Sequence, residues 1–219
     1  MAALAAAGHT MAIAVTAGDC PARPRQLLER FISADCERCW SQAGANAAPR
    51  DAWVLDWIVP GARGDDAPLA AAALSEARER VARMAGLAPH ADAAAAQRTP
   101  LRTPAGARLS VTAGPAWKGY FGVQLDSHGR WPNGSVAWLA LVEAVPAGTD
   151  GTPVPRQLVR TVAGPIAIDA RQTRQRDTRA MRWPETAKPE RLRATAWIES
   201  PGGQILGFAR DQCARRGPG

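Results

Sequence analysis

Lysine occurs only twice in the 219 residues, at Lys118 and Lys188, although lysine and arginine together number 27. The formal charge of +7 is therefore almost all arginine. Tyrosine is single and phenylalanine occurs three times, against eight tryptophans. No apolar run approaches the roughly 20 residues a membrane-crossing helix needs, so no integral membrane segment of that kind is expected. Patterns for a phosphate loop, a dinucleotide fold and a His-Glu-x-x-His helix are absent. Ser135 lacks the flanking glycines of a nucleophile elbow. Histidine is limited to His9, His90 and His128, and His128 with Asp126 reads as surface.

What is abundant is alanine, arginine, proline and glycine, a bias of genome composition more than of function. A basic balance favours anionic partners, but the arginines are spread along the chain, which is the pattern of a solvated surface. No nucleic-acid partner is expected. Arg171 to Arg182 gathers five arginines in twelve residues. Such a run can bind phosphate or acidic headgroups, yet it reads first as an edge strand or loop whose charges discourage pairing. The tryptophans are irregularly spaced and read as core anchors. Arg63-Gly64-Asp65, an adhesion tripeptide in spelling, sits just before a helix and reads as coincidence.

Residues 1–19 read as an alanine-rich export signal or disordered leader. Val15-Thr16-Ala17 has the small residues a signal peptidase accepts, although no Lys or Arg precedes the apolar run. A periplasmic or secreted location is the expectation. Four cysteines follow, Cys20, Cys36, Cys39 and Cys213. Four cysteines allow three pairings; Cys36–Cys39 with Cys20–Cys213 is the expected one, because domain termini often lie close together. Free, buried thiols at Cys20 and Cys213 are the alternative. Cys-x-x-Cys is also half of a zinc site, but no second closely spaced ligand pair exists. No metal and no cofactor are expected.

Gln26 to Ala34 and Ala52 to Val59 are short, largely apolar runs that read as strands buried on both faces. A short helix is expected after Cys39. Leu69 to Met84, opened by Asp65, Asp66 and Pro68 and stopped by Gly86, reads as the clearest helix. A further short helix is expected over Asp92 to Gln97. Thr99-Pro100-Leu101-Arg102-Thr103-Pro104 reads as a hinge. Beyond it, Arg108–Ala113, Tyr120–Asp126, Ser135–Val145, Gln157–Val162 and Arg191–Ser200 read as strands, with Ala194–Glu199 and Gln204–Ala209 forming a hairpin across Pro201-Gly202-Gly203. The expected fold class is α+β. A thioredoxin-like unit over 20–104 precedes an antiparallel β-sandwich-like half over 105–219.

The chemistry rests on Cys36 and Cys39. A strand that delivers Cys-x-x-Cys into a helix start offers free N–H groups to a thiolate. Cys36 then reads as the exposed attacker and Cys39 as the resolving thiol. Arg38 favours the thiolate, while Asp35 and Glu37 oppose it. The run Leu28-Glu29-Arg30-Phe31-Ile32-Ser33-Ala34-Asp35-Cys36-Glu37-Arg38-Cys39 resembles the opening of a bacterial exported thioredoxin-like family of unassigned function. Leu55-Asp56-Trp57, Gly64-Asp65 and Pro68 resemble that family's next strand and loop, and Ala194–Ala209 its last hairpin. Asp35 and Trp40 depart from its Gly and Pro. The resemblance implies a thioredoxin-like fold and a cis-proline, for which Thr99-Pro100 and Thr103-Pro104 are candidates.

Glu29, on the strand beside the pair, is a candidate general base for Cys39; a strand-face Glu paired to arginine is its structural alternative. Asp56 stands on similar terms. Two functions follow. One is thiol–disulfide exchange on protein thiols or disulfides through Cys36/Cys39. The other is a non-catalytic envelope protein in which the cysteines form only structural disulfides.

Overall fold

The computed structural model describes residues 20–21, 24–42, 48–83 and 94–213. The expected leader, His9, Gly86 and His90 lie outside the described residues. Strands β1 (Gln26–Ser33) and β2 (Ala52–Val59) pair in parallel, with Gln26 opposite Ala52 and Ser33 opposite Val59. All of β2, and all of β1 after Gln26, is buried. Continuous apolar runs are what burial on both faces requires.

Strand β3 (Ala94–Pro100) pairs antiparallel with the other edge of β1. A helix was the expectation for Asp92 to Gln97, since alanine prefers helices. The buried β1 edge carries N–H and C=O groups that must be paired, and that requirement overrides alanine's preference. The remaining strands are β4 (Arg108–Ala113), β5 (Tyr120–His128), β6 (Val136–Val145), β7 (Arg156–Ala167), β8 (Arg174–Arg182), β9 (Leu192–Glu199) and β10 (Ile205–Arg210). They complete a mixed seven-stranded sheet in the order β10-β9-β6-β7-β2-β1-β3 and an antiparallel three-stranded sheet β4-β5-β8.

This corrects the expected fold class. The described residues are mostly β, about 50% strand and 12% helix, rather than a thioredoxin-like α+β unit joined to a sandwich. Two α-helices occur among the described residues, α1 (Glu37–Ser41) and α2 (Ser75–Ala82). The single helix expected over Leu69 to Met84 is broken because Leu74 N–H donates to the Ile58 carbonyl and Ala73 bridges to Ile58. The sheet edge takes those backbone groups, and only eight residues remain for α2. Helix cover is therefore too small for the sheet. The three-stranded sheet supplies it, packing Leu109, Val111, Val123, Leu125 and Met181 on Leu139, Leu141, Ala194, Ala196 and Ile198.

Strands from before and after residue 104 share the large sheet, which curls until its edges touch. Leu101, just past β3, bridges to Ile205 of β10, and Arg102 N–H donates to the Ile205 carbonyl at 2.8 Å. Inside the curl lie Leu27, Phe31, Trp53, Leu55, Trp57, Val142, Val159 and Trp197. Cys20 and Cys213 are bridged, joining the approach to β1 with the exit from β10.

Candidate functional site

The Cys36–Cys39 disulfide sits where β1 ends. Its preceding loop is fixed by backbone demand: Ala34 N–H donates to the Val59 carbonyl and Cys36 N–H to the Ser33 carbonyl. The Asp35 carboxylate accepts from the N–H groups of Ala62 at 2.7 Å and Arg63 at 3.3 Å. A Cβ at position 61 would overlap that carboxylate, so Gly61 admits the approach. A notch of about 340 Å³, lined by Ser33, Asp35, Val59, Pro60 and Arg78, opens beside this loop.

Cys36 occupies the N-cap of α1, and its Sγ accepts from Cys39 N–H at 3.2 Å. Cys36 is 4% exposed, whereas Cys39 is half-buried. The more open member of the pair is thus Cys39, the reverse of the order expected from sequence. Glu37 and Arg38 are exposed.

Two contacts hold α1 independently of the disulfide. Trp40 enters a cluster with Ile32, Ala34, Ile58 and Leu158, and its Nε1–H donates to the Asp150 carbonyl at 2.7 Å. Arg156 of β7 donates from Nη2 to the carbonyls of Cys39, Trp40 and Gln42 at 3.3, 2.8 and 3.0 Å. A short helix leaves those carbonyls without partners of its own. Burial lowers the Arg156 pKa, opposed by the charge of Asp56, whose Oδ1 lies 3.7 Å away. Asp56 is wholly buried and receives a two-pronged bond from Arg30, at 2.6 and 2.7 Å, and Gln157 N–H at 2.6 Å. Asp56 thus pairs with Arg30 and lies against Arg156, the side chain that reaches α1.

Glu29 is not brought to the cysteines. It is fully buried, and its carboxylate is bound by the Arg80 guanidinium, with Nη2 at 2.8 Å, and by Trp57 Nε1–H at 3.0 Å. Ser33 stands four positions further along the strand, about 13 Å away, and Cys39 lies beyond. Arg80 also donates to Glu199 at 2.5 Å and stacks between Trp57 and Trp197. Burial opposes the Arg80 charge, but Glu29 and then Glu199 outweigh it and hold its pKa above the ordinary value. A cleft of about 780 Å³ adjoins this layer, lined by Arg80, Arg83, Thr99, Trp138, Glu199 and Pro201.

Sequence reasoning missed Arg30, Arg80, Arg156, Arg160 and Arg210, none more than 8% exposed. The available signal was Glu29-Arg30 inside a strand read as buried on both faces; two adjacent charges there demand partners. Neither Thr99-Pro100 nor Thr103-Pro104 is cis; the cis bond among the described residues is Gly164-Pro165 in β7. No group of three or more metal-ligating side chains occurs among the described residues. No protein-family model, curated protein or solved structure matches the chain.

Proposed function

We propose that this protein exchanges disulfides with the cysteines of other proteins, through Cys36–Cys39, outside the cytoplasm. Two disulfides fit an oxidising compartment, and no helix among the described residues is long and apolar enough to cross a membrane.

The observation that carries the reading is the asymmetry of the pair, one sulfur residue buried on an N–H donor and the other half-open, on a helix already held by Trp40 and Arg156. As a staple the bridge is inefficient. Closing a four-residue loop stabilises by roughly 2 kcal/mol in the chain-entropy model, against roughly 5 for Cys20–Cys213. As a reagent it is well placed. A partner thiolate attacks Cys39 Sγ, a Cys39–partner disulfide forms, and Cys36 leaves as a thiolate that accepts the Cys39 N–H. A second partner thiolate then attacks the partner sulfur and releases Cys39. The partner loses two electrons and, through water, two protons, and becomes a disulfide; Cys36 and Cys39 gain both and end as thiols. Glu29 has no part in these steps.

One observation favours the structural alternative: Cys36 is only 4% exposed. Titration through glutathione buffers, followed by alkylation and peptide mapping, decides between them. Exchange requires Cys36 and Cys39 to convert together at mild potential with Cys20–Cys213 intact. If neither bridge opens short of unfolding, Cys36–Cys39 is a staple.

A further inference from the structure

We propose that the outer face of the β4-β5-β8 sheet docks flat on an anionic phospholipid surface, with the β4–β5 hairpin tip seated among the headgroups. Side chains alternate along β5: Phe121, Val123, Leu125 and Ser127 point to the core, leaving Tyr120, Gln124, Asp126 and His128 on the other face. Register then fixes rows across the face. At one end Arg108, His128 and Arg174 stand side by side; next come Ser110, Asp126 and Arg176. At the other end, some 27 Å away by strand rise, Tyr120 pairs with Arg182 and bridges to Trp117.

The tip is rigid. Lys118 and Gly119 both have positive φ, 47° and 82°, as a two-residue hairpin turn demands. Trp117 and Tyr120 exchange backbone hydrogen bonds at 2.9 Å each. This turn holds Trp117 71% exposed and Tyr120 44% exposed, with Lys118 Nζ 4.9 Å from the Trp117 ring centre. Other tryptophans are buried or half-buried in the cores.

Charge complementarity selects the partner. Asp126, the one acid in these rows, is neutralised by Arg176 at 2.7 Å. Arg108, Arg174 and Arg182 are exposed and make no ion pair among the described residues. A nucleic-acid platform sets aromatic rings among the cations so that bases can stack. Here both rings are gathered at one end, on a tip, which is where Trp and Tyr serve as interfacial anchors. Cations over the remainder meet anionic headgroups.

The test is flotation of the full chain with phosphatidylglycerol/phosphatidylcholine vesicles and with pure phosphatidylcholine vesicles. The wild type is expected to float with the anionic vesicles alone, less so as salt is raised. Each guanidinium removed from the face is expected to weaken partitioning about fivefold, so Arg174→Glu with Arg182→Glu loses more than tenfold. Trp117→Ala, at an exposed position, is also expected to weaken it. Arg98→Glu with Arg102→Glu, a charge-matched change on exposed positions elsewhere, leaves flotation unchanged. Equal loss in that control, no flotation of the wild type, or tight binding of a single-stranded oligonucleotide that needs the arginines but not Trp117 would overturn the proposal.

Discussion

The Arg156 guanidinium donates to the main-chain carbonyl of Trp40 at 2.8 Å while lying 5.3 Å from the centre of the same residue's indole. One side chain thus grips both the backbone and the ring of the residue that follows Cys39. Replacing it with methionine leaves the carbonyls of α1 without donors and weakens the cluster at Asp56. Arg156→Met is expected to lower stability by about 3 kcal/mol and to raise the alkylation rate of reduced Cys36. Urea unfolding and timed alkylation check both.

Arg80 neutralises two carboxylates that face each other in the interior. Arg80→Met leaves Glu29 and Glu199 buried without a counter-ion, an expected loss of about 3–5 kcal/mol at neutral pH. Urea midpoints of the variant and the wild type at pH 7 check it.

The two disulfides should differ in what they contribute to stability. Cys20→Ser with Cys213→Ser opens a bridge spanning 193 positions and is expected to cost roughly 5 kcal/mol; Cys36→Ser with Cys39→Ser is expected to cost roughly 2. Urea midpoints under non-reducing conditions compare them. A larger loss from the short loop would show that α1 depends on its bridge, against the exchange reading.

Asp150 accepts from Lys188 and Arg191 at 2.7 Å each, and its main-chain carbonyl accepts from Trp40. The hydrogen bond from Lys188, then that from Arg191, outweighs partial burial and holds its carboxyl below the usual aspartate range. A depressed folded value means stability present above about pH 4 and lost as pH falls through it. Asp150→Asn is expected to be less stable by up to about 1 kcal/mol at neutral pH, because the pairs are solvent-screened. That gap should close as pH falls below the ordinary aspartate range, read as urea midpoints along the acid limb.

Strands were the legible part of this fold. Ala52 to Val59 and Arg108 to Ala113 coincide with β2 and β4, because apolar or alternating runs between Gly and Pro leave one solution. Pairing of Cys36 with Cys39 and Cys20 with Cys213 was legible from position alone. Fold class was not. Whether β6, β7, β9 and β10 form a second layer or extend the sheet of β1 and β2 turns on one parallel contact, Asp56 opposite Leu158, to which no local pattern points. The alanines of β3 likewise carry a helical signal that only the β1 edge overrules. At the site, Asp56 was noticed and Arg156 was not, because an arginine 100 positions away looks like any other on the surface.

The touching edges of the large sheet also impose an order on oxidation. Cys20 must wait for Cys213, 193 positions later, which enters an oxidising compartment last when the chain is delivered from its N-terminus. Throughout that interval the nearest thiols available to Cys20 are Cys36 and Cys39. Early closure of the short loop removes both from reach and keeps Cys20 unspent until its partner emerges.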